Sequence, residues 1–311
     1  MKKRLCAMAP QTTSHLAIPA FTCMFKMIIE YNARIVERYS FMTMHTDFYC
    51  HLKNRTIIEI HGNDREDFLQ GLITQDVRLL KNKHILYSLM LSAQGKFQFD
   101  FFIINEDKKW LIDIDTERAR AFLQKIQLYK LRSDVAINEN TDWQVGVSST
   151  RIDAKNCFLD PRLKDLGYRI YDKKVNATQS GEIYETLLLK LGVPDGARNM
   201  IVDKSIPLEW GMSELQAISW DKGCYMGQEL TARSRYVGQI RKRAFPIILQ
   251  RPAEYEVGTK LQANNQEVGE SRATSGNLGI ALLKLEALQS DIFINEQPIK
   301  VVKPSWMVLL A

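Results

Sequence analysis

The octet Lys222-Gly223-Cys224-Tyr225-Met226-Gly227-Gln228-Glu229 carries the densest chemistry in the sequence and is the strongest indicator of its fold. It combines a thiol, an ammonium, a carboxylate, an amide and a phenol with two glycines, whose backbone freedom lets a ligand approach the main chain. This composition predicts a loop built for a functional site. The alternative reading is a turn ahead of a strand, in which Cys224 merely packs.

Length and cysteine usage narrow the class of protein. The 311 residues are 45% apolar, enough for a real core in one elaborated domain or two. The five cysteines are odd in number and show no metal-ligand spacing, so neither a disulfide framework nor a preformed metal site is predicted. A reducing compartment fits this pattern. All five histidines precede residue 85, which argues against a Cys-His nucleophile at Cys224.

The positive charge is unevenly distributed. Residues 1–43 hold six lysines and arginines against two glutamates, so they carry +4 of the net +6 and leave +2 for the rest. General basicity is therefore weak support for nucleic-acid binding. A local basic stretch remains, because residues 230–253 contain six lysines and arginines and no acid. That stretch could bind an anion or be a solvated face.

The first 43 residues differ in composition from the remainder and are predicted to form a poorly ordered extension. Their longest apolar run, residues 16–25, is broken by Pro19 and is too short to cross a bilayer. A transit peptide, a weak export signal and a start at Met42 or Met44 all remain open. A bacterial cytoplasm is the predicted location, with the mitochondrial matrix as the alternative.

Periodicity predicts an α+β protein. Predicted helices cover residues 64–77, capped by Asn63, then 116–128 and 183–191. Predicted strands cover residues 56–60, 87–91, 97–104, 110–114, 143–147, 158–161 and 168–171. After a boundary near residue 244, short glycine-punctuated strands predict a small β-barrel. The predicted division is an extension (1–43), an α+β domain of two interleaved units (44–243) and a barrel (244–311).

Four segments together resemble one family. They are the run from Phe68 to Val77 (FLQGLITQDV), the loop Gln94-Gly95-Lys96 leading to Asp100, the run Pro207-Leu208-Glu209-Trp210-Gly211, and the octet. In this order they are similar to the folate-binding YgfZ family, relatives of the glycine-cleavage aminomethyltransferase. The resemblance runs from about residue 49 to the C-terminus.

The resemblance implies an aminomethyltransferase-like folate-binding fold with a C-terminal small β-barrel, and tetrahydrofolate as the cofactor. It also implies support of iron-sulfur cluster assembly or repair, with cluster assembly or client proteins as partners, more an assembly factor than a conventional enzyme. Two alternatives stay open: an aminomethyltransferase-like one-carbon transferase, and an RNA-binding or tRNA-modification-associated module. Membrane binding is not expected, and nucleic acid is a disfavoured partner.

The resemblance also points to folate contacts. Glu209 lies where the family contacts the pterin, and one carboxylate can accept two parallel hydrogen bonds from the pterin amino group and ring N–H. Asp100 corresponds to the region of a catalytic aspartate, and apolar neighbours would raise the pKa of its carboxyl. The loop before it departs from the aminomethyltransferase pattern, which argues against aminomethyl transfer.

Cys224 separates the cluster-assembly relatives from the aminomethyltransferases. Lys222 would stabilise its thiolate if both side chains emerged on one side of an extended segment. One thiol cannot hold a cluster alone, so any metal contact would be transient or shared with a partner, and no metal site is predicted in this chain itself. The remaining predicted folate-binding residues are Tyr225, Gln228 and Glu229 of the octet, and Arg233 and Arg235 for the glutamyl tail.

Overall fold

The computed structural model of the chain describes residues 47–106, 108–238 and 240–309. Its strands are β1 (Tyr49–His51), β2 (Arg55–His61), β3 (Ile85–Leu91), β4 (Phe97–Glu106), β5 (Lys109–Asp115), β6 (Ala136–Asn140), β7 (Gln144–Ser148), β8 (Cys157–Leu159), β9 (Tyr168–Asp172), β10 (Lys242–Leu249), β11 (Lys260–Ala263), β12 (Gln266–Ser275), β13 (Leu278–Lys284), β14 (Ile292–Ile294) and β15 (Gln297–Val301). Its α-helices are α1 (Arg65–Gln70), α2 (Leu80–Lys83), α3 (Thr116–Lys130), α4 (Glu182–Leu191), α5 (Gly196–Asn199) and α6 (Gln228–Tyr236). The predicted extension, residues 1–43, lies outside the described residues.

Two antiparallel sheets precede the barrel. The first has the order β3-β4-β5-β2-β6 and the second the order β1-β7-β9-β8. They interleave along the chain, because β1 pairs with β7 in the second sheet whereas β2 pairs with β5 and β6 in the first. One face of the first sheet packs against α1 and α3 through an apolar core that includes Phe68, Phe101 and Phe122.

The C-terminal part is a closed barrel in the order β10-β13-β12-β11-β14-β15. Phe245, Leu261 and Ile294 belong to its buried apolar interior. Closure leaves no free sheet edge, which explains how such short strands form a stable unit. The predicted fold class, α+β with a C-terminal small barrel, is confirmed.

Local pattern located most of the elements before the barrel. The predicted hairpin is the pair β3 and β4, with Leu89 opposite Asp100. The third predicted helix is α4, which ends at Gly192 in the left-handed conformation (φ 66°) that favours glycine.

The helix predicted over residues 64–77 is wrong in length and in its cap. Helix α1 ends at Gln70, and its N-terminus receives no side-chain cap, since Asn63 instead donates to the carboxylate of Asp134 (3.1 Å). The chain then turns, with a short 3-10 helix at Val77–Leu79. Contacts with distant segments fix this turn, and they could not be read from the local pattern.

In the part of the chain that the structure describes, none of the helices is long and apolar enough to cross a membrane.

Candidate functional site

The octet docks onto the turn that follows α1 through its lysine. The Lys222 Nζ donates to three backbone carbonyls, those of Gln70 (2.7 Å), Ile73 (2.8 Å) and Gln75 (2.9 Å). An ammonium has three donors, so these carbonyls use all of them. They also explain why α1 does not continue, because the turn presents its carbonyls to Lys222 rather than to a next helical turn.

The predicted role of Lys222 as an activator of Cys224 is therefore corrected. Lys222 is 6% exposed and lies inward, whereas Cys224 is exposed. Burial lowers the pKa of Lys222 to about 8. The Lys222 ammonium donates all three of its hydrogens to backbone carbonyls, which favour the charged form. Lys222 therefore anchors the loop and does not stabilise a thiolate at Cys224. Cys224 is thus presented to solvent by a segment that is anchored two residues earlier.

Replacement of Lys222 by methionine should destabilise the protein by about 2–3 kcal/mol, because it leaves the three carbonyls without their charged donor. Urea unfolding followed by tryptophan fluorescence measures this change. The matched control is Lys204→Met at an exposed turn residue, for which we expect a change within about 0.5 kcal/mol. Equal costs for the two variants would show that the carbonyl contacts do not anchor the loop.

Two motif glycines bring the octet against the loop between β3 and β4. A Cβ on Gly227 would lie 2.5 Å from the Ser92 carbonyl oxygen and 3.1 Å from the Cα of Gly95, and Gly227 has φ 82°. A Cβ on Gly95 would lie 3.2 Å from the carbonyl oxygen of Gly227. Both space and backbone conformation require glycine at Gly227. The motifs that carried the resemblance are thus in direct contact.

The other predicted octet residues have different environments. The Tyr225 ring is buried and its hydroxyl has no hydrogen-bond partner among the described residues, and burial raises its pKa to about 12. Gln228 is half-buried at the first position of α6, and Glu229 is exposed beside it. The octet leads into this helix and not into a strand, so the alternative of a turn before a strand is excluded.

A groove of about 490 Å³, here named the motif groove, lies between the β3–β4 loop, the residues before Glu209 and one side of α6. Its lining includes Lys96, Pro207, Leu208, Leu230 and Arg233. Glu209 is half-buried beside it; burial raises the pKa of this carboxyl, while Lys242, Lys96 and Arg243 oppose the rise. The volume falls within the range of small-molecule sites, about 300–1,000 Å³.

The two arginines predicted for the glutamyl tail are separated. Arg233 is exposed and lines the motif groove. The guanidinium of Arg235 instead stacks on Trp220, with its carbon 4.0 Å from the ring centroid, and lies 5.2 Å from that of Tyr236. Of the pair, only Arg233 lines the motif groove.

Asp100 lines a different, much smaller cavity. The cavity measures about 40 Å³ and also contacts Arg55, Arg162 and Asp195. Burial and the nearby Asp195 raise the pKa of Asp100 to about 6, opposed by Arg55 and by the hydroxyl of Tyr87, which donates to its Oδ2 (2.9 Å). Such a space holds roughly one water molecule and has no room for a pterin. Of these two spaces, only the motif groove is large enough for a small molecule of that size.

A buried ionic cluster next to Asp100 was not found from the sequence. Asp113 accepts from Arg55 Nε (2.6 Å), from Arg169 (2.6 Å) and from the hydroxyl of Tyr171 (2.9 Å). The guanidinium carbon of Arg169 lies 3.8 Å from the centroid of the Phe102 ring. Burial alone would raise the pKa of Asp113, but the two arginines outweigh it and hold that pKa below its usual value. The alternation Ile112-Asp113-Ile114 sets Asp113 on the opposite face from its apolar neighbours, and nothing in the sequence marks that face as buried too.

Within the described ranges, which omit residues 1–46, 107, 239 and 310–311, no three His, Cys, Asp or Glu side chains are grouped so that they could hold a metal ion.

Comparison with known proteins supports the fold and indicates a role. Residues 241–309 match the family described as "CAF17, C-terminal beta-barrel domain". Over most of its length the chain is similar to proteins named "Iron-sulfur cluster assembly factor IBA57, mitochondrial". The Homo sapiens protein is 29% identical (78% of this chain, 79% of the relative), and the Mus musculus protein is 26% identical (82% and 84%).

The solved structure of glycine cleavage system aminomethyltransferase T from Bartonella henselae is similar in fold. The TM-score is 0.60 at 10% sequence identity, with 83% of this chain and 86% of that chain covered. The aminomethyltransferase-like fold expected from the sequence is therefore confirmed, although a match at this identity carries only the fold.

Proposed function

We propose that the protein is an iron-sulfur cluster assembly factor that acts through the thiol of Cys224. The observation that carries the proposal is an exposed cysteine on a segment held by Lys222 and by the contact of Gly227 with Gly95. The names of the relatives supply the cluster-assembly context. Those names also specify mitochondria, so we propose the mitochondrial matrix as the location in place of a bacterial cytoplasm.

A single thiolate can hold an iron-sulfur cluster only together with ligands from another protein. Sulfur ligands suit iron, but iron-sulfur clusters take four ligands, and the described residues group no further ligands into a metal site. Cys224 would therefore contribute one ligand while a partner protein supplies the others. The cluster is cargo in this scheme, held between two proteins and passed on. An exposed thiol on an anchored loop suits such sharing, because a partner can reach the sulfur without the loop having to reorder.

Complementation of cells that lack the protein, with iron-sulfur enzyme activity as the readout, tests this role. Cells lacking the protein should lose the activity of iron-sulfur enzymes and keep that of enzymes without clusters. Expression of the wild-type chain should restore the lost activity. Loss that is equal in both classes of enzyme would reject a role in cluster assembly.

The rival reaction, aminomethyl or other one-carbon transfer, has less support. Such a transfer would place a folate-bound one-carbon unit beside Asp100. The cavity there measures about 40 Å³, and the Asp100 carboxylate already accepts a hydrogen bond from the Tyr87 hydroxyl. A transferase needs its reacting atoms in close contact with such a group. An assembly factor does not need Asp100 to contact the ligand.

We also propose that tetrahydrofolate binds in the motif groove. Its volume, its apolar lining by Pro207, Leu208 and Leu230, and the half-buried carboxylate of Glu209 beside it support the proposal. Glu209 would accept the paired N–H groups of the pterin, and Arg233 would contact the glutamyl carboxylate. The folate supplies a one-carbon carrier when it is bound, and these residues supply its orientation.

Calorimetric titration with tetrahydrofolate tests the site. Glu209→Gln should weaken binding by roughly tenfold or more, since it removes a charged acceptor that faces two donors. The control is Glu139→Gln at an exposed residue of β6, which should not change the affinity.

Asp100→Asn separates the two possible positions of the pterin and should also leave the affinity unchanged. A loss of tetrahydrofolate affinity in Asp100→Asn but not in Glu209→Gln would place the pterin beside Asp100. Absence of saturable binding to the wild-type protein would reject the folate proposal and leave the role of Cys224 untouched.

A further inference from the structure

A second groove, here named the basic groove, lies between the C-terminal end of α6 and the barrel. Its volume is about 810 Å³. Five cations line it: Arg235, Arg241, Lys242, Arg243 and Lys284. The lining also includes the apolar side chains of Val237, Ile240 and Leu285 and a single acid, Glu286. It is therefore a concave surface that is both strongly cationic and partly apolar.

These cations are poorly compensated within the protein. Across the described residues, only Arg243 of the five forms an ion pair, with Glu214 (2.6 Å). Lys242 on β10 lies directly opposite Lys284 on β13, an arrangement that repels. Two further acids lie within electrostatic range: Glu209 interacts with Lys242 and Arg243, and Glu267 interacts with both lysines while its carboxylate pairs with Lys260 (2.8 Å). Neither forms an ion pair with a cation of the groove. The two lysines on neighbouring strands therefore leave this wall of the groove positively charged.

Two guanidinium nitrogens at the groove are buried. Arg235 Nη1 and Arg243 Nε have no hydrogen-bond partner among the described residues, and the Arg243 residue is 3% exposed. Buried donors are normally satisfied, and charged ones most of all. Both arginines line the basic groove. Both nitrogens are shielded from solvent, so a ligand in the groove would reach them only after the arginine side chains turn toward it.

The position of α6 argues for carboxylates over phosphates. The groove meets the C-terminal end of this helix, whose partial negative charge disfavours a compact, multiply charged anion. Phosphate sites use the opposite end, where backbone N–H groups converge. Cations spread along an apolar wall instead suit single charges spaced along a chain. Cations near a helix C-terminus also complement its dipole, but Arg241, Lys242 and Lys284 lie outside the helix and that effect does not explain them.

The net charge of the chain argues against a nucleic acid. Outside residues 1–43 the chain carries a net charge of only +2, so its overall charge does not favour a nucleic acid. We propose that the basic groove binds an acidic peptide segment of a partner protein, with carboxylates on Arg241, Lys242 and Lys284 and apolar side chains on Val237, Ile240 and Leu285. This proposal does not depend on the chemistry of Cys224.

Fluorescence anisotropy with a labelled peptide made of glutamate and leucine tests the proposal. The wild-type protein should bind it, more weakly at higher salt, and should not bind the same peptide with glutamine in place of glutamate. The double variant Arg241→Glu and Lys284→Glu should weaken binding by about tenfold or more. The matched control is Arg132→Glu with Arg251→Glu, which makes the same change in net charge at exposed residues outside the groove and should alter binding by less than about twofold.

Competition separates the possible ligands. Inorganic phosphate and a single-stranded RNA oligonucleotide should displace the acidic peptide only at concentrations far above that of unlabelled peptide. If RNA bound more tightly than the acidic peptide, and if the double groove variant lost this RNA binding, the proposal would be overturned in favour of a nucleic acid. Equal losses in the groove variant and the matched control would overturn it in favour of non-specific attraction. Cys224→Ser should bind the peptide as the wild type does, which keeps this outcome distinct from that of the assembly role.

Discussion

Cells that carry Cys224→Ser as their only copy are expected to lose iron-sulfur enzyme activity to the level of cells without the protein. Serine keeps the size and hydrogen-bonding capacity of cysteine but removes the nucleophilic, iron-binding sulfur. Because Cys224 is exposed and Lys222 anchors the loop, the substitution should leave the fold intact. The purified variant should unfold within about 0.5 kcal/mol of the wild type.

Cys157→Ser provides a control for the thiol itself. Cys157 is buried at the start of β8, so its replacement should lower stability without abolishing rescue. Full rescue by Cys224→Ser would remove the thiol from the mechanism, although the cluster-assembly role of the whole protein could still hold. Unfolding of Cys224→Ser would instead assign Cys224 a packing role, contrary to its exposure.

Asp113→Asn is expected to destabilise the protein by about 3–5 kcal/mol, the usual cost of breaking a buried ion pair on one side. Asparagine has the same size, but its amide nitrogen would set donors against either Arg55 or Arg169, and the negative charge that faces both guanidinium groups would be lost. Arg169 would keep only the more distant carboxylate of Asp160 (3.8 Å). Asp113 is wholly buried, so water cannot replace the lost charge. Urea unfolding at neutral pH measures the effect.

Two comparisons make this result specific. Asp115→Asn, at the end of the same strand, changes a helix-capping carboxylate for which asparagine is an equally good substitute, and should cost little stability.

The effect of Asp113→Asn should also depend on pH. The folded-state pKa of Asp113 is lowered, so its contribution is complete above the unfolded value of about 3.9 and is lost as pH falls through the folded-state pKa. The gap between wild type and variant should therefore narrow in acid. A loss below about 1 kcal/mol at neutral pH would show that the cluster is not held by Asp113.

The sequence by itself determined where the chemistry lies and which elements carry it. Apolar and aromatic runs located β3, β4 and β5, and the glycines at Gly95 and Gly227 marked loops that allow close approach. The motif order was sufficient to identify the aminomethyltransferase-like fold with its barrel. These signals are local, because periodicity and backbone freedom depend on residues near one another in the chain.

The tertiary structure alone decided what each charged residue does. Lys222 contacts the carbonyl of Gln70, which is 152 residues away, and this contact turns a predicted thiolate activator into an anchor. Asp113 is compensated by arginines from two other strands, and the basic groove combines the end of α6 with two barrel strands. The energy of a charge depends on the partners and the solvent around it, and these are fixed only when distant segments pack. A single sequence names the charges, whereas the fold determines their partners.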